Sequence, residues 1–143
     1  MARLSYEKAF QAFGKDYETP LSLSLDARLW LVDFPVGERE FCDREYPDPA
    51  GVLKDMDLIY PEGYGEALSG GEREFEPEKI KRRLNLKGID LRSYAIYLKF
   101  AEKGLFPSAG FGLGIERLTR YICGLERIEE TRPFAKLPGV LGL

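Results

Sequence analysis

Gly110-Phe111-Gly112-Leu113-Gly114-Ile115-Glu116-Arg117 sets three glycines at alternate positions and follows them with a charged pair at the start of a helical stretch. Side chains alternate between the faces of an extended strand, so these glycines strip one face and leave backbone against which a flat ligand such as an adenine ring can lie. Arg117, just beyond them, carries a rigid guanidinium fork suited to a polyphosphate. Glycines kept only for close strand packing are the alternative reading. A dinucleotide fingerprint is excluded, because its last glycine would stand at position 115, which is Ile, and a P-loop is excluded because no Gly-Lys-Ser/Thr occurs.

Outward from this run, Ser108 to Gly114 reads as a strand that opens directly into a helix from Ile115 to Cys123, ended by Gly124. Two helices precede it. Glu76 to Leu86 has Pro77 in its first turn and Gly88 past its end, and Leu91 to Lys103 follows an Asp90 N-cap and precedes Gly104. Before them, Arg28 to Phe34, Glu40 to Tyr46 and Val52 to Tyr60 are rich in β-formers and separated by Pro, Gly and Asp turns. Pro61-Glu62-Gly63-Tyr64-Gly65 turns the chain into a further strand from Glu66 to about Phe75. A first helix spans Ser5 to Phe13, with Tyr6, Ala9, Phe10 and Phe13 at helical spacing, and a turn is expected at Glu18-Thr19-Pro20. Strands grouped first and helices later imply α+β: one domain, residues 1–143, with a mainly antiparallel sheet covered by helices. Trp30 is expected in the core. Tyr94, Tyr97 and Leu98 are expected to be packing residues, and Lys79, Lys81, Arg82, Arg83 and Lys87 a solvated helix face.

The composition narrows the function classes. The 143 residues are 44% hydrophobic and 31% charged, with a net charge of −3, so no global positive field holds nucleic acid and any RNA contact is local. Apolar runs such as Ala27 to Phe34 are too short to span a bilayer and no leader follows Met1, which makes a cytoplasmic address and no membrane partner the expectation. With two cysteines, Cys42 and Cys123, and no His, a zinc site is not expected, and both thiols read as reduced packing residues. Asn85 and Gln11 are the sole residues of their types, a bias found in proteins of hot environments.

Asp55-Met56-Asp57-Leu58-Ile59-Tyr60 and Gly65-Glu66-Ala67-Leu68-Ser69-Gly70-Gly71-Glu72-Arg73-Glu74 form the arms of one predicted hairpin. With the turn near Pro61 to Gly63, Asp57 and Glu66 become cross-strand or diagonal neighbours on one face. Two carboxylates so placed are either solvated acids or ligands of a cation, and oxygen ligands without His favour Mg²⁺.

The glycine run resembles motif 3 of the class II aminoacyl-tRNA synthetases, Gly-x-Gly-x-Gly-x-Glu-Arg, and the resemblance extends from Leu105 through Leu125. The hairpin resembles the metal-holding segment of the aspartyl and asparaginyl enzymes. Asp33-Phe34-Pro35 and Arg39 to Glu45 resemble their Tyr-Pro…Phe-Tyr segment, with Cys42 in the Tyr place. Arg132 to Gly139 resembles the ending of the asparaginyl branch, to which archaeal asparagine synthetases are related, so the chain is expected to stop where that family stops. By this resemblance Arg117 binds the ATP γ-phosphate, and Gly110, Gly112 and Gly114 floor the adenine pocket. Asp57 and Glu66 hold Mg²⁺, Ser69 lies beside them, and Arg73 grips the amino-acid side chain. Glu72 stands where relatives usually have Gln, and Ser108 where they often have His; Glu72 is expected to adjust the amino-acid pocket.

The resemblance begins inside the family's catalytic domain: neither motif 1 nor motif 2, whose Arg clamps the α-phosphate, is found, and no anticodon-binding barrel. It therefore implies a partial class II fold in a split or truncated ATP-dependent ligase for aspartate or asparagine. Its partner is a second chain supplying motifs 1 and 2, or further copies of itself, with tRNA or ammonia as acceptor. The alternative is a non-catalytic nucleotide- or amino-acid-binding module. An open sheet edge is expected where strands are missing.

Overall fold

In a computed structural model that describes residues 1–134 and 139, Ser5 ends one element and starts the next. It closes strand β1 (Ala2–Ser5), and its hydroxyl accepts the backbone N–H of Lys8 at 3.5 Å, capping helix α1 (Tyr6–Phe13). The strand was not expected from the sequence, where four residues at a terminus carry little periodic signal. Helix α2 (Glu18–Leu23) replaces the expected turn, because Pro20 sits in its first turn, where no backbone N–H is needed.

Strands β2 (Leu29–Val32), β3 (Asp55–Tyr60) and β4 (Gly65–Arg73) follow. After them come helix α3 (Pro77–Leu86), a 3₁₀ turn at Leu91–Tyr94, helix α4 (Ala95–Glu102), strand β5 (Ser108–Leu113) and helix α5 (Ile115–Cys123). The five strands form one sheet in sequence order, β1 parallel to β2 and every other pair antiparallel, so the α+β expectation holds. Among the described residues β1 and β5 each pair on one side only, so they are the two edges of the sheet. No described helix is long and apolar enough to cross a membrane.

The expected strand over Glu40–Tyr46 does not form. Asp43 and Glu45 make isolated bridges to Arg73 and Leu53, and the carbonyls of Glu40 and Asp43 accept instead from the buried guanidinium of Arg83. Arg83 thus leaves the solvated face assigned to it: at one helical turn from Ile80 and beside Leu84 it shares the inward stripe of α3.

Two apolar clusters lie along one face of the sheet. Ala9, Leu21, Leu29, Leu31, Phe34 and Ile59 pack beneath α1 and α2, and Phe41, Ile80, Leu84, Leu98 and Ala101 pack beneath α3 and α4, joined by Tyr94 and Tyr97 as expected. Trp30 is not core; its strand position turns it to the other face, where it and Leu68 are half-buried and, with the exposed Met56 and Phe111, line a groove of about 1030 Å³. Cys123 is exposed at the end of α5 and does not pack, whereas Cys42 is half-buried against the second cluster. Of the Arg132 to Gly139 run, residues 135–138 lie outside the described residues.

Candidate functional site

The pleat places the predicted residues in cross-strand rows on the face that carries both clusters. Asp57 stands opposite Ser69 and Ser69 opposite Gly112; in the next row Asp55, Gly71 and Gly110 align, and beyond them Arg73 meets Ser108. Glu66 joins this face through a bulge. Leu58 pairs with Leu68 but Ile59 with Glu66, so Ala67 is the extra residue, and it shifts Glu66 to the side of Ile59 and Asp57. An unbulged register would have turned Glu66 away. Asp57 and Glu66 are therefore diagonal neighbours, as expected.

Helix α2 fixes this turn. The Ser22 hydroxyl donates to the Tyr60 carbonyl at 2.7 Å and accepts the Gly65 N–H at 3.0 Å, while Glu18 Oε1 accepts the Glu66 N–H at 3.0 Å. Tyr60 also stacks on Tyr121 of α5 at 4.0 Å between ring centroids, which sets the helix that bears Arg117. Arg117 Nη1 donates to the Glu66 carbonyl at 2.7 Å and lies 3.5 Å from Glu66 Oε1. Motif 3 and the acidic hairpin thus meet directly.

The glycine face is open. A Cβ at Gly112 would meet nothing within 4 Å, and one at Gly110 would come no nearer than 3.7 Å to Arg73, so close packing does not explain these two glycines. It does explain Gly70 and Gly71, where a Cβ would lie 2.5 Å from the Phe111 Cβ and 2.7 Å from the Asp55 Cβ. At Gly114 an added Cβ would crowd the side chain of Arg117 at 3.2 Å.

Sequence reasoning missed Arg39. Its Nε lies 2.9 Å from Asp55 Oδ2, its Nη2 bonds Asp57 Oδ2, and its guanidinium rests over the Phe34 ring at 3.6 Å. Burial works against the Arg39 charge, but Asp57 and Asp55 outweigh it and raise its pKa. Asp55 is pushed up to about 7 by burial, against the pull of Arg39 and with the charges of Asp43 and Asp57 adding to it. Glu66 is raised by burial and by Asp57. The signal for Arg39 lay in the Asp-x-Asp pair, since two inward carboxylates two residues apart on one strand demand a cation.

A metal could use the same acids. Asp57 Oδ1 is buried without a hydrogen-bond partner, and the mutual repulsion of Asp57 and Glu66 is what a cation would relieve. Among the described residues no group of three or more His, Cys, Asp or Glu gathers, so the donor set fits an ion that takes two protein carboxylates and draws the rest from water and phosphate. Glu72 is misplaced by the sequence reading. One residue from Arg73, it points to the opposite face, where its Oε2 lies 3.0 Å from Lys54 Nζ and 3.4 Å from Arg44 Nη1.

The family model described as tRNA synthetases class II (D, K and N) matches residues 1–138. The chain belongs to the class II tRNA synthetases. An asparagine–tRNA ligase of Symbiobacterium thermophilum is 40% identical over 125 residues, which is 87% of this chain and 29% of that protein. The crystal structure of asparaginyl-tRNA synthetase from Pyrococcus horikoshii superposes on 99% of this chain with a TM-score of 0.88 at 30% identity, using 37% of its own length. The aspartyl-tRNA synthetase of Entamoeba histolytica covers the whole chain with a TM-score of 0.86 at 27% identity and one third (33%) of its own length. This class II chain thus spans well under half of the relatives it matches, and it lies close to their asparaginyl and aspartyl members.

Proposed function

We propose that this sheet face is the C-terminal half of an aminoacyl-adenylate-forming site that activates asparagine or aspartate with Mg²⁺-ATP, completed by a second chain that supplies motifs 1 and 2. The observation that carries the reading is the convergence of Asp57, Glu66, Ser69, Arg73, the open Gly110/Gly112 floor and Arg117 on one face. The Pyrococcus horikoshii asparaginyl-tRNA synthetase, to which the chain is 30% identical, has also been solved complexed with asparaginyl-adenylate, and it superposes with a TM-score of 0.87.

In this reading the adenine lies on Gly110 and Gly112, with Gly114 leaving room for Arg117, whose guanidinium receives the γ-phosphate. Arg73 holds the amino-acid side chain, and Ser69 sits between it and the acids. Asp57 and Glu66 hold Mg²⁺, which when bound offsets phosphate charge. The amino-acid carboxylate attacks the α-phosphorus and pyrophosphate leaves; a tRNA hydroxyl or ammonia then attacks the carbonyl of the adenylate, takes the acyl group and expels AMP. Holding the α-phosphate in line is chiefly electrostatic preorganisation, and the Arg that does so in motif 2 is not in these 143 residues.

The test is asparagine- or aspartate-dependent exchange of pyrophosphate into ATP. The chain alone is expected to be inactive. Co-expression with a polypeptide carrying motifs 1 and 2 restores exchange, and Arg73→Ala abolishes it again. Robust exchange by the 143-residue chain by itself overturns the split site, and failure of every such partner favours a non-catalytic binding module.

A further inference from the structure

Arg73 is not free to act as a bare cation. Its Nη1 pairs with Asp43 Oδ1, its Nη2 lies 3.4 Å from the Gly110 carbonyl, and Cys42 Sγ is 3.9 Å from Nη1. Asp43 cannot swing away from it. The Asp43 backbone bridges to Arg73 across the sheet margin, the Asp43 carbonyl is gripped by the buried Arg83, and Asp43 as a whole is only 7% exposed. Among the described residues Asp43 Oδ2 receives no hydrogen bond, and the Arg73 side chain keeps an open edge, 36% exposed, on the face that carries Gly110 and Ser69.

A fixed guanidinium–carboxylate pair has two consequences for anything that docks on its open edge. It offers N–H donors and a carboxylate acceptor side by side, and its net charge is near zero. A carboxamide matches both groups, with its carbonyl accepting from Arg73 and its NH₂ donating to Asp43. A carboxylate matches only Arg73, and it brings a second negative charge beside Asp43, whose other neighbouring cation, Arg83, is already committed to the Asp43 and Glu40 carbonyls. We propose that Asp43 is a specificity-determining residue that makes the Arg73 pocket select the side-chain carboxamide of asparagine over the carboxylate of aspartate. This rests on the reading that Arg73 holds the amino-acid side chain, and it settles which of the two acids the site takes.

Sulfamoyl analogues of asparaginyl-adenylate and aspartyl-adenylate, titrated calorimetrically into the full chain, separate the two ideas. The wild-type chain binds the asparaginyl analogue at least ~10-fold more tightly, the size of effect that one unpaired charge in a partly buried site produces. Asp43→Asn and Asp43→Ser, each confirmed folded by its melting curve, bring the ratio to within about twofold by improving the aspartyl analogue. Arg73→Ala weakens both analogues. Equal wild-type affinities, or a ratio that neither Asp43 variant moves, overturns the role of Asp43 while leaving the Arg73 assignment standing. If Arg73→Ala binds as the parent does, or the parent binds neither analogue, the assignment of Arg73 fails and the inference falls with it.

Discussion

Arg39 and Asp57 form an ion pair beneath the floor of the candidate site, and the same guanidinium reaches Asp55 two residues earlier on the strand. The protein thus carries its own cation against an acid pair whose side chains are about one-twentieth exposed (4% and 5%), with Asp55 Oδ1 and Asp57 Oδ1 left without partners. Removing one member of a buried pair costs about 3–5 kcal/mol, because the charges that remain are uncompensated. Arg39→Met is therefore expected to lower the denaturant midpoint by that order, and Arg39→Met combined with Asp55→Asn to recover part of it. A single variant within about 0.5 kcal/mol of the parent would show that the pair has no structural weight.

Asp55 also gives stability a pH dependence of definite sign. Its folded pKa is pushed up to about 7, chiefly by burial, from about 3.9 in an unfolded chain. Between roughly pH 4 and 7 the native state holds a proton that the unfolded state has released, so stability falls as pH rises through this window and levels off above it. Glu66, raised by burial and by Asp57, acts in the same direction. Melting temperatures are expected to decline from pH 5 to 7.5 and the decline to flatten in Asp55→Asn. A rising curve would mean that Arg39 keeps Asp55 ionised throughout.

Arg82 and Arg83 are sequence neighbours with different fates. Arg83 is 3% exposed and serves two carbonyls, whereas the Arg82 side chain is 63% exposed and 3.9 Å from Glu45. Arg83→Met leaves the Asp43 and Glu40 carbonyls without their donor and is expected to cost about 2–3 kcal/mol. Arg82→Met is expected to fall within about 0.5 kcal/mol. Comparable effects in chemical unfolding would contradict the placement of Arg83.

Those two residues also show what the sequence could and could not reveal. Glycine and proline punctuation located α3, α5 and the β3–β4 hairpin, because capping and turns are local. The alternation of β4 already implied that Ser69 and Arg73 share a face and that Glu72 does not, a consequence the family pattern obscured. Arg39 and Arg83 were hidden because each meets its partner through the fold: Arg83 reaches carbonyls 40 and 43 residues away, and charge alone reads as exposure. The bulge at Ala67 was equally silent, and it decides where Glu66 points.

The last expectation separates glycines kept for a ligand from glycines kept for packing. Gly70 and Gly112 lie on adjacent strands but face opposite sides of the sheet: a Cβ at Gly70 would lie 2.5 Å from the Phe111 Cβ and 2.6 Å from the Gly110 carbonyl, while one at Gly112 would meet nothing within 4 Å. Gly70→Ala is therefore expected to destabilise the chain by about 1–3 kcal/mol, the usual cost of overpacking. Gly112→Val carries no such clash, and a β-branched residue favours the strand, so its stability is expected to match or exceed the parent's. If the bare face receives the adenine ring, the same Gly112→Val substitution fills it and weakens Mg²⁺-ATP by at least ~10-fold, as does Arg117→Ala by removing the phosphate fork. Calorimetric titration of ATP against these variants reads both effects. A Gly112→Val chain that is stable and binds ATP as tightly as the parent would place the nucleotide elsewhere and leave the glycine face without a ligand.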